Sequence, residues 1–150
     1  MSADSDLIKL YSSRILGLTA TMPRIGRLDA PDGEARRRSP TCGSTVTVTI
    51  GWDGETVTDY AQEVKACALG QASASVVGSV VVGLDEAAIR KGRDELKAML
   101  AGGPPPEAPF DGLEALAPAR DYANRHGSIM LALEATLEAI GAAKAARATG

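Results

Sequence analysis

The chain has 150 residues, 45% of them hydrophobic and 23% charged, which is enough apolar material for a packed core at one-domain length. Lys and Arg number 16 and Asp and Glu 19, a formal net charge of −3. That acidic balance, with only 3% aromatics, supplies neither the counterion release nor the stacking platform of a nucleic-acid binder, so no nucleic acid is expected as partner.

The opening MSADSDLIKLYSSR lacks the basic region and apolar block of a secretory signal. No apolar run reaches the roughly 18 residues of a membrane span. A cytoplasmic protein with no membrane attachment is expected. The first helix is predicted over Asp6 to Met22, with Leu7, Ile8, Tyr11, Ile15 and Leu18 on one face, Asp4 or Ser5 as cap, and Pro23 as stop. A turn-rich stretch, Arg24 to Pro40, holds a short edge strand around Glu34 to Ser39. Thr45 to Ile50 alternates strictly, Val46, Val48 and Ile50 against three threonines, as a half-buried strand does. Asp53-Gly54 predicts a type I′ hairpin turn, and Glu55 to Gln62 the returning strand. The small apolar run Gln71 to Val80 predicts a helix able to approach a sheet closely, stopped by Gly83. Asp85 caps an amphipathic helix to Leu100, with Ile89, Leu96, Met99 and Leu100 inward. Gly102 to Pro106 is a linker within the domain. Asp111 with Glu114 predicts a capping-box start to a short helix. The last helix is predicted over Ser128 to Ala146. Strands segregated from helices give an α+β fold: an N-terminal helix, a small antiparallel three-stranded sheet, and helices packed on one face, forming one domain over residues 1–150.

Chemistry-bearing residues are few. Cys42 lies in Pro40-Thr41-Cys42-Gly43-Ser44, a turn before a strand, and Cys67 lies just ahead of a helix N-terminus, whose free N–H groups favour a thiolate. From placement alone each cysteine reads either as a small buried hydrophobe or as a thiolate donor. His126, the one histidine, falls just before the last helix and reads as a surface residue or as a ligand; Ser128 reads as a plain N-cap. The spacing of Cys42, Cys67 and His126 fits no zinc-finger or ferredoxin pattern, so these residues meet only through the tertiary fold. Dinucleotide, P-loop and nucleophile-elbow motifs are absent. Arg36 to Arg38 reads as a solvated edge.

Taken together, several segments resemble one family. Leu10-Tyr11 with Pro23-Arg24 and Gly26-Arg27-Leu28 is similar to its first helix and "P-R-N-x-G-x-L" exit. Pro40-Thr41-Cys42-Gly43 matches "P-T-C-G-D". Asp53-Gly54 and the strand after it match its hairpin. Ala66-Cys67-Ala68-Leu69-Gly70-Gln71-Ala72-Ser73-Ala74-Ser75 matches "G-C-A-I-S-x-A-S-A-S", the most specific segment. Arg120 through Ala132 looks like "R-K-Y-P-x-R-x-K-C-A-x-L-A". The family is that of the iron–sulfur cluster assembly scaffolds, NifU N-terminal and IscU-like, closest to the SufU-like branch, and the resemblance spans about residues 6–140.

What the resemblance implies is a non-enzymatic scaffold that holds iron and sulfur transiently and passes them to apo iron–sulfur acceptor proteins. A cysteine desulfurase would be the sulfur donor, and a homodimer is compatible. Cys42 and Cys67 become ligands, with His126 as the third; Ser44 and Ser128 line the site. Ser44 stands where the family has aspartate, and Ser128 where it has a third cysteine. A [2Fe–2S] cluster needs four ligands, and a neutral serine is a poor donor to soft metals. The alternative is therefore a desulfurase partner that relays sulfur, with zinc on Cys42, Cys67 and His126 or with no metal, and stores no cluster.

Overall fold

The computed structural model describes residues 12–40 and 43–149. The first described element is helix α1, Ser13–Ala20, whose first turn is closed by Ser12: its Oγ accepts the Ile15 N–H at 3.3 Å. Ile15 is its buried anchor, and Leu18 packs partly against the same core. Leu7, Ile8 and Tyr11, and the expected caps Asp4 and Ser5, lie outside the described residues.

Three antiparallel strands follow in the order β1 (Gly33–Arg38), β2 (Thr45–Trp52), β3 (Val57–Lys65). Gly33 pairs with Ile50 and Arg38 with Thr45; Thr45 in turn pairs with Lys65. Val46, Val48 and Ile50 are fully buried, as their alternation predicts. The threonine face departs from the pattern at one point. Thr49 is 1% exposed, because the chain after Pro23 folds back over this end of the sheet. The Gly26 N–H donates to the Gln62 carbonyl, the Gln62 N–H to the Arg24 carbonyl, and the Leu28 N–H to Thr49 Oγ1.

The β2–β3 turn is a correction. A type I′ turn needs positive φ at both central residues, and here only Gly54 has it, at 97°. The Asp53 carboxylate instead accepts the N–H groups of Glu55 and Thr56 at 2.8 and 2.6 Å, an Asx-type closure. The register then shifts at Gly51/Trp52.

Helix α2 is Ala68–Val80 and α3 is Glu86–Leu100, capped by Asp85, whose Oδ1 accepts the Ala88 N–H at 2.8 Å. The short helix is a 3₁₀ helix, Asp111–Asp121; its cap position is Phe110 and no side chain caps it, so the expected Asp111 and Glu114 capping box is not formed. The last helix, α4, is Ala123–Thr149. It begins five residues before Ser128, which removes the N-cap reading of that serine.

The architecture is α+β: α4 lies along β1 and β2 and also receives α2 and α3, so Val48, Leu69, Val77, Leu96, Ile129 and Leu133 close one aliphatic core. Small residues let α2 come close; Ser73 Oγ donates to the Ile129 carbonyl at 2.6 Å. Among the described residues no helix is long and apolar enough to cross a membrane.

Candidate functional site

Strand β3 ends at Lys65, and Cys67 takes the cap position of α2 in extended conformation, φ −65° and ψ 170°. The turn is held by Gln71, whose Nε2 donates to the Ala66 carbonyl at 2.8 Å while its backbone N–H makes the first helical bond to the Cys67 carbonyl. Cys67 is half-buried.

Two serines from distant parts of the chain reach it. Ser128, in the second turn of α4 and 1% exposed, places its Oγ 3.5 Å from Cys67 Sγ. The same hydroxyl donates to Ser44 Oγ at 3.1 Å. Ser44 is buried at the end of the β1–β2 connection, where the Ser39 N–H donates to the Ser44 carbonyl and the Gly43 N–H to the Ser39 carbonyl. Gly43 has φ +73°, the left-handed conformation that glycine takes without strain. Thr41 and Cys42 belong to this connection and lie outside the described residues. Gly70, one turn into α2, is what lets Ser128 in: a Cβ there would overlap Ser128 Oγ and come within 2.9 Å of the Ala66 Cβ.

Partial burial pushes the Cys67 thiol up. It is outweighed by the Ser128 hydroxyl, then by the N–H groups of Gly70 and Leu69 at the helix start and by the positive charge of Arg125, so the thiol lies below its ordinary value of 9.0. Sγ makes no full capping hydrogen bond; the N–H groups act on it as aligned dipoles at short range.

The structure thus brings together Ser44, Cys67 and Ser128. It does not bring His126 to them. At 100° per residue, two positions along a helix turn a side chain to the opposite side. His126 Nε2 sits 2.9 Å from the Ala119 carbonyl of the 3₁₀ helix. Among the described residues no group of three or more His, Cys, Asp or Glu side chains could hold a metal ion. One thiol and two hydroxyls do not satisfy an iron–sulfur cluster by themselves; a thiolate favoured at a helix start suits nucleophilic attack on sulfur or a single metal–sulfur bond. Arg125 matches an arginine of the family pattern and Gly70 stands where that pattern has serine, but neither is marked there as a site residue. Their signal is positional: Arg125 precedes Ser128 by three, on one helix face, once α4 is known to start at Ala123.

The chain is similar to known proteins over most of its length. The NifU-like N terminal domain family matches residues 10–140. The crystal structure of a nitrogen-fixing NifU-like protein (N-terminal) from Brucella abortus superposes with a TM-score of 0.90 at 42% identity, covering 93% of this chain and 98% of that one. A candidate iron–sulfur cluster assembly scaffold for the SUF system from Fervidobacterium islandicum superposes at 0.79 with 19% identity, over 89% of this chain and 98% of that one, a likeness of fold. No curated protein matches the sequence. The match over residues 10–140, together with the Brucella relative at 42% identity, makes this chain a member of the NifU-like N-terminal domain family.

Proposed function

We propose that this protein is an iron–sulfur cluster assembly scaffold, one domain over residues 1–150, that receives sulfur and iron at Cys42 and Cys67 in the cytoplasm and passes the product to apo acceptor proteins. The observation that carries the reading is the 3.5 Å approach of Ser128 to Cys67 with Ser44 next in line, three candidate site residues drawn from three remote segments. Ser44 lies two residues beyond Cys42 in the sequence, which supports reading Cys42 as the second ligand of the same site. A cysteine desulfurase is the proposed sulfur donor. The Cys67 thiolate attacks the terminal sulfur of the donor's persulfide; a new S–S bond forms on Cys67, the donor's S–S bond breaks, and the donor leaves as a thiolate. The transfer itself is redox-neutral, whereas turning the persulfide sulfur into cluster sulfide takes two electrons per sulfur from an external electron donor; the protein is not itself an enzyme. A [2Fe–2S] cargo on Cys42 and Cys67 needs further donors from a partner or a second copy of the chain, as in a homodimer.

One observation favours a second reading. The hydroxyl at 128 is neutral and hydrogen-bonded on both sides, so it offers the cluster no thiolate. A desulfurase partner that relays sulfur, with zinc or without metal, fits that feature. Anaerobic reconstitution with ferrous iron, cysteine, a desulfurase and an electron donor such as dithionite separates the two. Visible charge-transfer bands, lost in Cys42→Ala and in Cys67→Ala, are expected for the scaffold. A colourless protein carrying stoichiometric zinc or a persulfide on Cys67 would replace that reading with the relay.

A further inference from the structure

Val46, Val48 and Ile50 of β2 point into the core, so Thr45 and Thr47 stand on the opposite face of the sheet, where both are half-exposed. On that outward face a shallow trough of about 570 Å³ runs from β1 to β3. Its carboxylates are already engaged: Arg27 pairs with Glu34 and, at 3.4 Å, with Glu63. Its other two cations, Arg36 of β1 and Lys65 of β3, have no carboxylate partner among the described residues. The strand register adds a third. Arg37 turns to α4, where Glu134 holds it at 2.9 Å, so Arg36 and Arg38 share the outward face. Arg36 stands opposite Thr47, and Arg38 opposite Thr45, which in turn stands opposite Lys65. Arg38 also has no carboxylate partner among the described residues. In a chain of net charge −3, three exposed and unpaired cations on one sheet face are a local field for anions.

This field lies at the end of the sheet that carries the candidate site. Lys65 closes β3 two residues before Cys67. The Arg38 guanidinium comes within 3.8 Å of where a Cβ on Gly43 would lie, in the connection that leads to Ser44. We propose that the trough docks an extended acidic segment of the protein that exchanges sulfur or metal with Cys67, its carboxylates meeting Arg36, Arg38 and Lys65. The spacing argues for a segment rather than one small anion: β1 and β3 lie two strand intervals, about 10 Å, apart, and Arg36 and Arg38 about 7 Å apart along β1. Several carboxylates on alternate residues of an extended chain repeat at that same interval of about 7 Å. The charge is also graded. Glu34 and Glu63 sit farther from Cys67 along the strands, so a uniform polyanion such as nucleic acid would run onto them, and the trough offers no aromatic side chain on which a base could stack. Only the reason for the partner's arrival rests on reading Cys67 as an exchange site; the docking itself needs neither sulfur nor metal.

The test is titration of the isotope-labelled full chain, followed by amide chemical shifts, with a blocked hexapeptide of alternating glutamate and threonine as probe. The same peptide with glutamine for glutamate and a thymidine oligonucleotide of equal charge serve as controls. Saturable shifts at Arg36, Thr45, Thr47 and Lys65 are expected, weakening as salt is raised. Binding should be about tenfold weaker for the glutamine peptide and for Arg36→Gln/Lys65→Gln. Arg14→Gln/Lys97→Gln, which removes the same charge away from the trough, should bind as the wild type does. All four side chains are exposed, so an unchanged thermal transition will show that each variant is folded. Absence of saturable shifts overturns the proposal. So does equal binding of the glutamine peptide, which would mark backbone pairing alone, or equal weakening in Arg14→Gln/Lys97→Gln, which would mark overall charge alone. Equal or tighter binding of the oligonucleotide would make the face a general polyanion surface and overturn it too. No iron, sulfide or desulfurase enters the titration, so its failure is separate from failure of the reconstitution.

Discussion

At Cys67 two opposing effects meet. Burial disfavours the charged sulfur, while the Ser128 hydroxyl, the amide groups of Gly70 and Leu69, and Arg125 favour it, and the second set prevails. A thiol held below its ordinary value is more ionised at neutral pH than a free cysteine, and only the thiolate reacts with an alkylating agent. Ser128→Ala removes the first of the favourable partners and leaves burial in place. In a Cys42→Ala background, iodoacetamide should therefore modify Cys67 more slowly at neutral pH in the Ser128→Ala protein, with the midpoint of the rate–pH curve displaced upward. Identical curves for the two proteins would show that the 3.5 Å approach has no electrostatic effect. Ser128 lies 61 residues from Cys67 and 84 from Ser44, and no periodicity expresses a contact across such separations. The motif resemblance names these residues as one site, whereas the residue pattern by itself leaves Ser128 as an ordinary cap. His126 shows the converse. Its proximity to Ser128 in sequence suggests a shared site, and the helical turn between them points it elsewhere.

Secondary structure was legible where side-chain period or cap chemistry acts locally. The Val46, Val48, Ile50 alternation, the Asp85 cap and the Ile89, Leu96, Met99 stripe all correspond to observed elements. The start of α4 was not, because Gly127 weakens a helical pattern and Ser128 carries a cap signal of its own. What carries the helix back to Ala123 is tertiary: Gly127 packs so close to Ser39 that an added Cβ would lie 2.7 Å from its Oγ. The same logic governs the meeting of α2 with α4. At Gly70 a Cβ would overlap Ser128 Oγ, so Gly70→Ala must push the helices apart, at a cost of about 1–3 kcal/mol. Gly141, on α4, meets nothing within 4 Å, so Gly141→Ala should gain about 0.5–1 kcal/mol from helix propensity alone. Thermal unfolding of the two variants should thus move in opposite directions from the wild type. A Gly70→Ala protein as stable as Gly141→Ala would mean that α2 and α4 are not tightly apposed at the site.

Across the whole molecule the core is almost entirely aliphatic, and composition already requires this, since aromatics are 3% of the chain. Its polar centre could not be read from composition. Tyr60, on β3 and 2% exposed, hydrogen-bonds Thr136 of α4 at 3.1 Å, and two residues on Gln62 Nε2 donates to the carbonyls of Pro23 and Ala74. These groups link sheet, α4, α2 and the segment after α1. Burial pushes the Tyr60 phenol from 10.0 up to about 12, the Thr136 bond offsetting part of the rise. The folded protein therefore holds this proton when the unfolded chain has begun to lose it. The stability Tyr60 confers is fully present below pH 10.0 and is lost as pH rises through about 12. Tyr60→Phe keeps the ring and removes the titration. Thr136 still donates to the Ala132 carbonyl at 2.7 Å, so the variant should lose only about 1 kcal/mol at neutral pH. Urea unfolding of both proteins between neutral pH and pH 12 will subtract the shared titration of lysines. The wild type should start as the more stable protein and fall toward the variant in the upper part of that range. A difference that stays constant with pH would place the Tyr60 hydroxyl in contact with water, and the sheet and α4 would then not be closed around it.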